Sequence, residues 1–292
     1  MSAPRHLNGA IATLENGGTV FTSFCVADRT NALAVAPGPY DAVVFEMEHN
    51  PFDVMGLRDS LQYLLDRRLI AERDDLSPVV TPFARIPANG SEMTQWLAKQ
   101  VLDVGVYGVV CPHVSTAAEA RNAVGACRYR KPESAERYDP PGMRGDQPQS
   151  AARYWGVDIA EYYRRADVWP LVPEGEILVV IQCETKMAIR NLPDILANVP
   201  GIGVVLIGEG DLSQDLGRPR EYEHPEVESA VADILSICQD FGIPCGIPHV
   251  TADNVERRIG QGFRWLMSTP ERTNQAVDLG RKHLLARGGE RS

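Results

Sequence analysis

The 292-residue chain has no CxxC pair and only four lysines (Lys99, Lys131, Lys186 and Lys282) among its 29 basic residues. Its apolar runs stay well short of the roughly eighteen residues a membrane helix needs. Each shortage excludes something. The six cysteines (Cys25, Cys111, Cys127, Cys183, Cys238 and Cys245) show no zinc-ribbon or dithiol spacing. Four of them sit inside apolar segments, where a buried free thiol is the usual reading, and this suits a reducing compartment. The opening MSAPRHLNGA lacks the apolar centre of a signal peptide, so the expectation is a cytoplasmic protein. Scarce lysine leaves few amines for covalent catalysis. With 39 acidic residues the formal charge is −10, and no Lys/Arg run stands out, which argues against nucleic-acid or anionic-membrane partners. No GxGxxG follows the first β-rich run and no GxxxxGK[ST] occurs, so the common nucleotide-binding loops are missing. There is also no internal repeat or low-complexity tract.

What is present is alternation. Short β-branched runs at 19–25, 42–47, 79–85, 107–112, 177–183, 203–208, 244–248 and 264–268 read as eight strands. Stretches of helical period separate most of them, among them VMGLRDSLQYLLDRRL, SEMTQWLAKQVLDVG, KMAIRNLPDILANV and PEVESAVADILSICQDFG. Eight such units predict a (β/α)8 TIM barrel of the α/β class, a fold that fills this length as a single domain over 1–292. A doubly wound sheet shows the same alternation. The segment 130–175, rich in Pro, Arg, Tyr and Asp, reads as a long irregular loop near the active-site rim, and 271–292 as a C-terminal helix or tail in oligomer contacts.

Barrel chemistry gathers where the strands end. There the sequence sets Glu46, Glu48 and His49, then Arg85, His113, Glu184, Glu209 with Asp211, and His249. A pair of oxygen-only ligands from neighbouring strands suits a hard divalent cation that keeps waters and takes up substrate oxygens, and Glu184 with Asp211 is the best such pair. Plainer readings stand beside this one. Asp211 reads equally as a helix N-cap, Glu184 as a solvated rim carboxylate and Arg85 as a neutralising charge. His113 and His249 read as hydrogen-bonded rim histidines, Glu48 as a residue paired behind the strand, and Asp53 as a cap.

Six motifs in order resemble the metal-dependent (class II) pyruvate aldolases of the HpcH/HpaI family, within the phosphoenolpyruvate/pyruvate barrel superfamily. They are EMEHNP, FARIPAN, LDVGVYGVVCPHV, GMRGD followed by ARYWG, IQCETKMAIRNL and IGEGDLS. The resemblance implies a cation (Mg2+, Mn2+ or Co2+) held by Glu184 and Asp211, with His49 handling the proton and Glu46 orienting that histidine. It sets Arg85 on the keto and enolate oxygen, with Gly210 and Asp211 also against substrate. Asp103 matches an acidic residue that reaches a neighbouring subunit's site, and the family implies a homo-oligomer, often a hexamer. The implied reaction joins or splits pyruvate and an aldehyde, acting on 4-hydroxy-2-oxo acids.

The chain departs from the family pattern in four places. Glu46 replaces Asp, Asn50 replaces Gly, Glu209 and Gly210 replace Pro and Ala, and KPESAERYDPPGMRG is longer than usual. Glu209 is expected to add a carboxylate at the mouth. The rivals are a Schiff-base aldolase, for which only Lys186 lies near the rim, a citrate-lyase-like acyl-CoA lyase, and a carbon–carbon lyase or decarboxylase of a 2-oxo diacid. A non-catalytic metabolite-binding barrel leaves the acid, base and ligand set unexplained.

Overall fold

The computed structural model describes residues 6–73, 75–88, 92–268 and 274–289. Its strands are β1 (Val20–Cys25), β2 (Ala42–Glu46), β3 (Thr81–Arg85), β4 (Gly108–Cys111), β5 (Val168–Trp169), β6 (Ile177–Cys183), β7 (Val204–Ile207), β8 (Cys245–Val250) and β9 (Trp265–Ser268). All pairings are parallel. β1 pairs with both β2 and β9, and β4 with β6, so eight strands close into a (β/α)8 barrel while two-residue β5 adds to the start of β6.

Helices flank the strands: α1 (Gly9–Glu15), α2 (Arg29–Val35), α3 (Val54–Leu64), α4 (Arg67–Arg73), α5 (Gln95–Val104), α6 (Ala117–Ala126), α7 (Gln149–Trp155), α8 (Ile159–Arg165), α9 (Lys186–Asn198), α10 (Glu209–Asp215), α11 (Pro225–Asp240), α12 (Val255–Gln261) and α13 (Gln275–Gly289). Local chemistry sets several starts. Asp53 accepts the N–H groups of Met55 and Gly56 at the head of α3, and Thr116 with Glu119 forms a capping box on α6. Gly208, not Asp211, holds the cap position of α10, and Asp211 lies in its first turn.

Strands covered on both faces read as continuous apolar runs, and every residue of β2 and β6 is buried. Period-two alternation divides them. Ala42, Val44, Phe83, Val110, Leu178, Val180, Val204, Leu206, Trp265 and Met267 fill the barrel interior, while Val43, Phe45, Val109, Val179, Ile181 and Ile247 meet the helices. Continuing the inward positions brings β2 to Glu46 and Glu48, β3 to Arg85, and β6 to Gln182 and Glu184. An apolar barrel therefore ends in a polar mouth. The other end is plugged by α1, whose Ala10, Ile11 and Leu14 join the interior cluster. Asn8 caps that helix, and buried Glu176 accepts the N–H groups of Leu7 and Asn8 at 3.0 and 2.8 Å.

Two expectations need correction. The segment 130–175 is not one irregular loop, since it contains α7, α8 and β5. Nor does its folded part sit at the rim. Helix α6 returns the chain to the strand beginnings, and there Trp155 donates to Gly105 O at 2.9 Å and stacks on Tyr107 just before β4. Short amphipathic helices anchored by aromatics leave little periodic signal. In the C-terminal tail, α13 packs on its own barrel: Ala276 and Val277 are buried, and Arg281 pairs with Asp41 at 2.9 Å. Residues 271–273 and 290–292 of the tail, and Asn89 of the FARIPAN motif, lie outside the described residues.

Candidate active site

The mouth is built around Arg85. Registered beside Glu46 at the ends of β3 and β2, it donates Nε and Nη2 to Glu46 Oε2, the first at 2.6 Å. Its Nη1 lies 3.1 Å from Glu48 Oε2 and 3.4 Å from Gln182 Oε1, and its guanidinium lies over the Phe24 ring at 4.4 Å. Such a fork is held at each donor, so its position is fixed before anything binds. The other Glu46 oxygen accepts the backbone N–H groups of Glu48 and His49 at 2.8 and 3.1 Å. Glu46 thus fixes the backbone that carries His49, and the expected contact with the imidazole is absent among these hydrogen bonds.

Glu48 takes that place. Its Oε2 lies 3.5 Å from His49 Nε2 and its Oε1 lies 3.7 Å from His113 Nε2, with its side chain 9% exposed. The expectation that Glu48 pairs behind the strand is overturned, because residues two apart on a strand share a face. Burial raises its pKa, and Glu184 and Glu46 add to the rise against the opposing pull of Arg85 and His49. The His49 side chain is 66% exposed at the mouth.

Glu184 is buried, with Oε1 accepting the His113 N–H at 2.5 Å and Oε2 accepting Gln182 Nε2 at 2.9 Å. His113 reaches it from a left-handed backbone, φ 55°, uncommon for a residue other than glycine. Burial is the largest cause of the raised Glu184 pKa, and the nearby Asp211 carboxylate contributes. Gly208 makes room for this group, since a Cβ there would stand 2.2 Å from Glu184 Oε2. Among the described residues no set of three or more His, Cys, Asp and Glu is grouped to hold a metal. Two carboxylates near enough to feel each other's charge, one buried in a glycine-walled cradle, still fit a hard divalent cation whose remaining ligands are waters and substrate oxygens.

The remaining expected residues fall elsewhere. Gly210 is the second residue of α10, with open space where its Cβ would be. Asp103, in the last turn of α5, lies toward the strand beginnings and accepts Arg144 Nη2 at 3.0 Å, away from this chain's own mouth. Glu209 does not stand in the mouth. It is 1% exposed, with Oε2 2.9 Å from His249 Nδ1 and Oε1 3.4 Å from Arg258 Nη2. Lys186 is exposed at the start of α9 and lines an outer groove with Pro225 and Ala230. Sequence reasoning passed over Gln182, which links Arg85 to Glu184; its inward parity with Glu184 was the available signal.

The comparisons agree with this architecture. The model of the HpcH/HpaI aldolase/citrate lyase family matches residues 24–267. A pyruvate aldolase of Rhizobium etli is 32% identical over 256 residues, covering 88% of this chain and 84% of that protein. A 4-hydroxy-2-oxo-heptane-1,7-dioate aldolase of Klebsiella pneumoniae is 29% identical over 266 residues, 89% of this chain and 82% of that protein. Among solved structures, a HpcH/HpaI aldolase/citrate lyase family protein from Burkholderia cenocepacia superposes with a TM-score of 0.70 at 25% identity, covering 94% of this chain and 95% of that one. With its closed barrel and charged mouth, the chain belongs to the HpcH/HpaI aldolase/citrate lyase family and is a carbon–carbon lyase of the aldolase type.

Proposed function

We propose that the chain forms and cleaves the carbon–carbon bond between pyruvate and an aldehyde, acting on 4-hydroxy-2-oxo acids with a divalent cation. The observation that carries this reading is the strand-end cluster, where a clamped Arg85 and the carboxylates of Glu48 and Glu184 meet two imidazoles above an apolar barrel. Glu184 and Asp211 would hold Mg2+, Mn2+ or Co2+, with Gly210 beside the substrate. When bound, the cation supplies a Lewis acid next to the keto group.

The chain's own residues do the rest. In the cleavage direction His49 takes the proton of the 4-hydroxyl, the C3–C4 bond breaks, the aldehyde leaves, and the protonated His49 returns that proton to C3 of the enolate to give pyruvate; the same group, run in reverse, takes a methyl proton from pyruvate. Arg85 holds positive charge beside the enolate oxygen as it develops, an effect typically worth about 3 kcal/mol. Glu48, close to His49 Nε2, stabilises the imidazolium that forms. Asp103 lies toward the other end of its own barrel, so a catalytic part for it requires a second copy of the chain. That accords with the homo-oligomer, up to a hexamer, that the family resemblance implies.

Exchange of pyruvate methyl protons in deuterium oxide, without aldehyde, tests the reading. The parent enzyme exchanges them and His49→Ala loses most of the rate. Exchange at the parent rate in His49→Ala removes the histidine from the enolisation path.

A further inference from the structure

A cavity of about 1020 Å³ opens beside α10, apart from the strand-end cluster, and its wall includes Glu209, Tyr222, His249, Asn254, Arg257 and Arg258. It is a built site. The buried Glu209 carboxylate accepts from His249 Nδ1 at 2.9 Å, which assigns a proton to that nitrogen and leaves Nε2 as the ring's other polar atom. Tyr222 stacks on the imidazole with centroids 4.5 Å apart and planes 15° from parallel. His249 holds this pose from a left-handed backbone, φ 55°, of the kind that persists only where the surroundings over-determine it. Arg258, 5% exposed, lends Nη2 to Glu209 and Glu228 and leaves its buried Nε without a hydrogen-bond partner.

The wall's chemistry selects a class of ligand. Glu221, Glu223 and Asp253 add acceptors and negative charge, and Arg220 and Arg257 add donors, so acids outnumber arginines and a bare anion is disfavoured. Donors and acceptors converging beside a flat ring pair suit a chain of hydroxyl groups, each of which both gives and accepts a hydrogen bond. Glu209 and Asp211 stand two residues apart in the first turn of α10, about 200° around the helix axis. The cavity and the candidate cation pair therefore flank one turn. Between them stands Gly210, with open space where a side chain would be.

We propose that this cavity binds a polyhydroxylated chain and, resting on the aldolase reading, that the chain is the tail of the aldehyde acceptor, whose carbonyl end passes Gly210 toward Asp211.

Titration of the enzyme with xylitol by calorimetry tests the cavity without turnover. The parent binds xylitol, and both His249→Asn, which tolerates the left-handed backbone, and Tyr222→Ala, on a surface segment, bind it at least tenfold more weakly. No binding by the parent, or equal binding by both variants, overturns the cavity. The ratio of kcat/KM for erythrose over butanal, with pyruvate as donor, tests the acceptor role. It falls at least tenfold in both variants, and an unchanged ratio overturns that role. A parent enzyme that binds xylitol yet exchanges no pyruvate protons upholds the cavity and overturns the aldolase reading instead.

Discussion

Glu48 Oε2 lies 3.5 Å from His49 Nε2, whereas Glu46 holds only the backbone N–H of that histidine, at 3.1 Å. The two carboxylates therefore differ in what their removal does. His49→Ala is expected to slow pyruvate proton exchange by about 10²–10⁴-fold, the usual worth of a general acid–base group. Glu48→Gln removes the charge beside the imidazole and slows exchange about tenfold, as about 1.4 kcal/mol of lost interaction would. Glu46→Gln leaves the ring alone but loosens the Arg85 clamp, so its effect falls mainly on KM for pyruvate. If Glu46→Gln slows exchange more than Glu48→Gln, the carboxylate roles assigned here are reversed.

Dialysis against chelator is expected to abolish aldol cleavage, and Mg2+, Mn2+ or Co2+ to restore it. Glu184→Ala and Asp211→Ala should each lower bound metal, measured by elemental analysis, with the circular dichroism of the barrel retained. Full turnover by chelated enzyme would remove the cation from the mechanism.

The strand ladder was legible because buried parallel strands concentrate β-branched residues, and all eight expected runs overlap barrel strands. The rim residues followed from where those runs stop. What escaped was decided by direction and packing. Glu48 was read as facing away from Glu46, although strand parity puts both in the mouth. Glu209 was expected to add a carboxylate at the mouth, yet it is buried against His249 and Arg258, partners forty and forty-nine residues away. Asp103 and the aromatics of α7 and α8 lie toward the strand beginnings, which follows once α6 is traced back along the barrel.

Asp167 supports the long β4–β6 connection. It accepts Arg128 Nε at 2.7 Å and pairs with Lys131, while the Arg128 side chain is 1% exposed. Burial by itself works to raise the Asp167 carboxyl, but the hydrogen bonds from Arg128 and Lys131 outweigh it and hold the pKa below the ordinary value. A lowered folded-state pKa contributes stability that is present above the ordinary carboxylate range and lost as pH falls through the folded value. Asp167→Asn strands a buried guanidinium and should cost about 3–5 kcal/mol at neutral pH. In urea melts the gap between parent and variant should narrow below about pH 4. A gap that widens on acidification contradicts the pairing.

Gly208 is the position where one carbon should separate fold from site. It ends the strand-to-helix passage from β7 into α10 and needs no left-handed backbone, since its φ is −90°. Alanine is therefore conformationally acceptable there, and the penalty is spatial: the added Cβ would meet Glu184 Oε2 at 2.2 Å and Glu184 Cβ at 2.6 Å. The strand atom cannot retreat far, so the carboxylate must swing away, giving up its bonds to His113 N–H and Gln182. Overpacking of this kind typically costs about 1–3 kcal/mol, which a barrel with this interior should survive. Gly208→Ala is thus expected to fold, with a lowered Tm, and to lose turnover and bound metal to nearly the extent of Glu184→Ala. The double variant Gly208→Ala/Glu184→Ala should regain part of the lost Tm, because truncating the glutamate frees the space the methyl group needs. Full activity in Gly208→Ala would show that Glu184 can leave its present position without consequence, and its assignment as a cation ligand would fall.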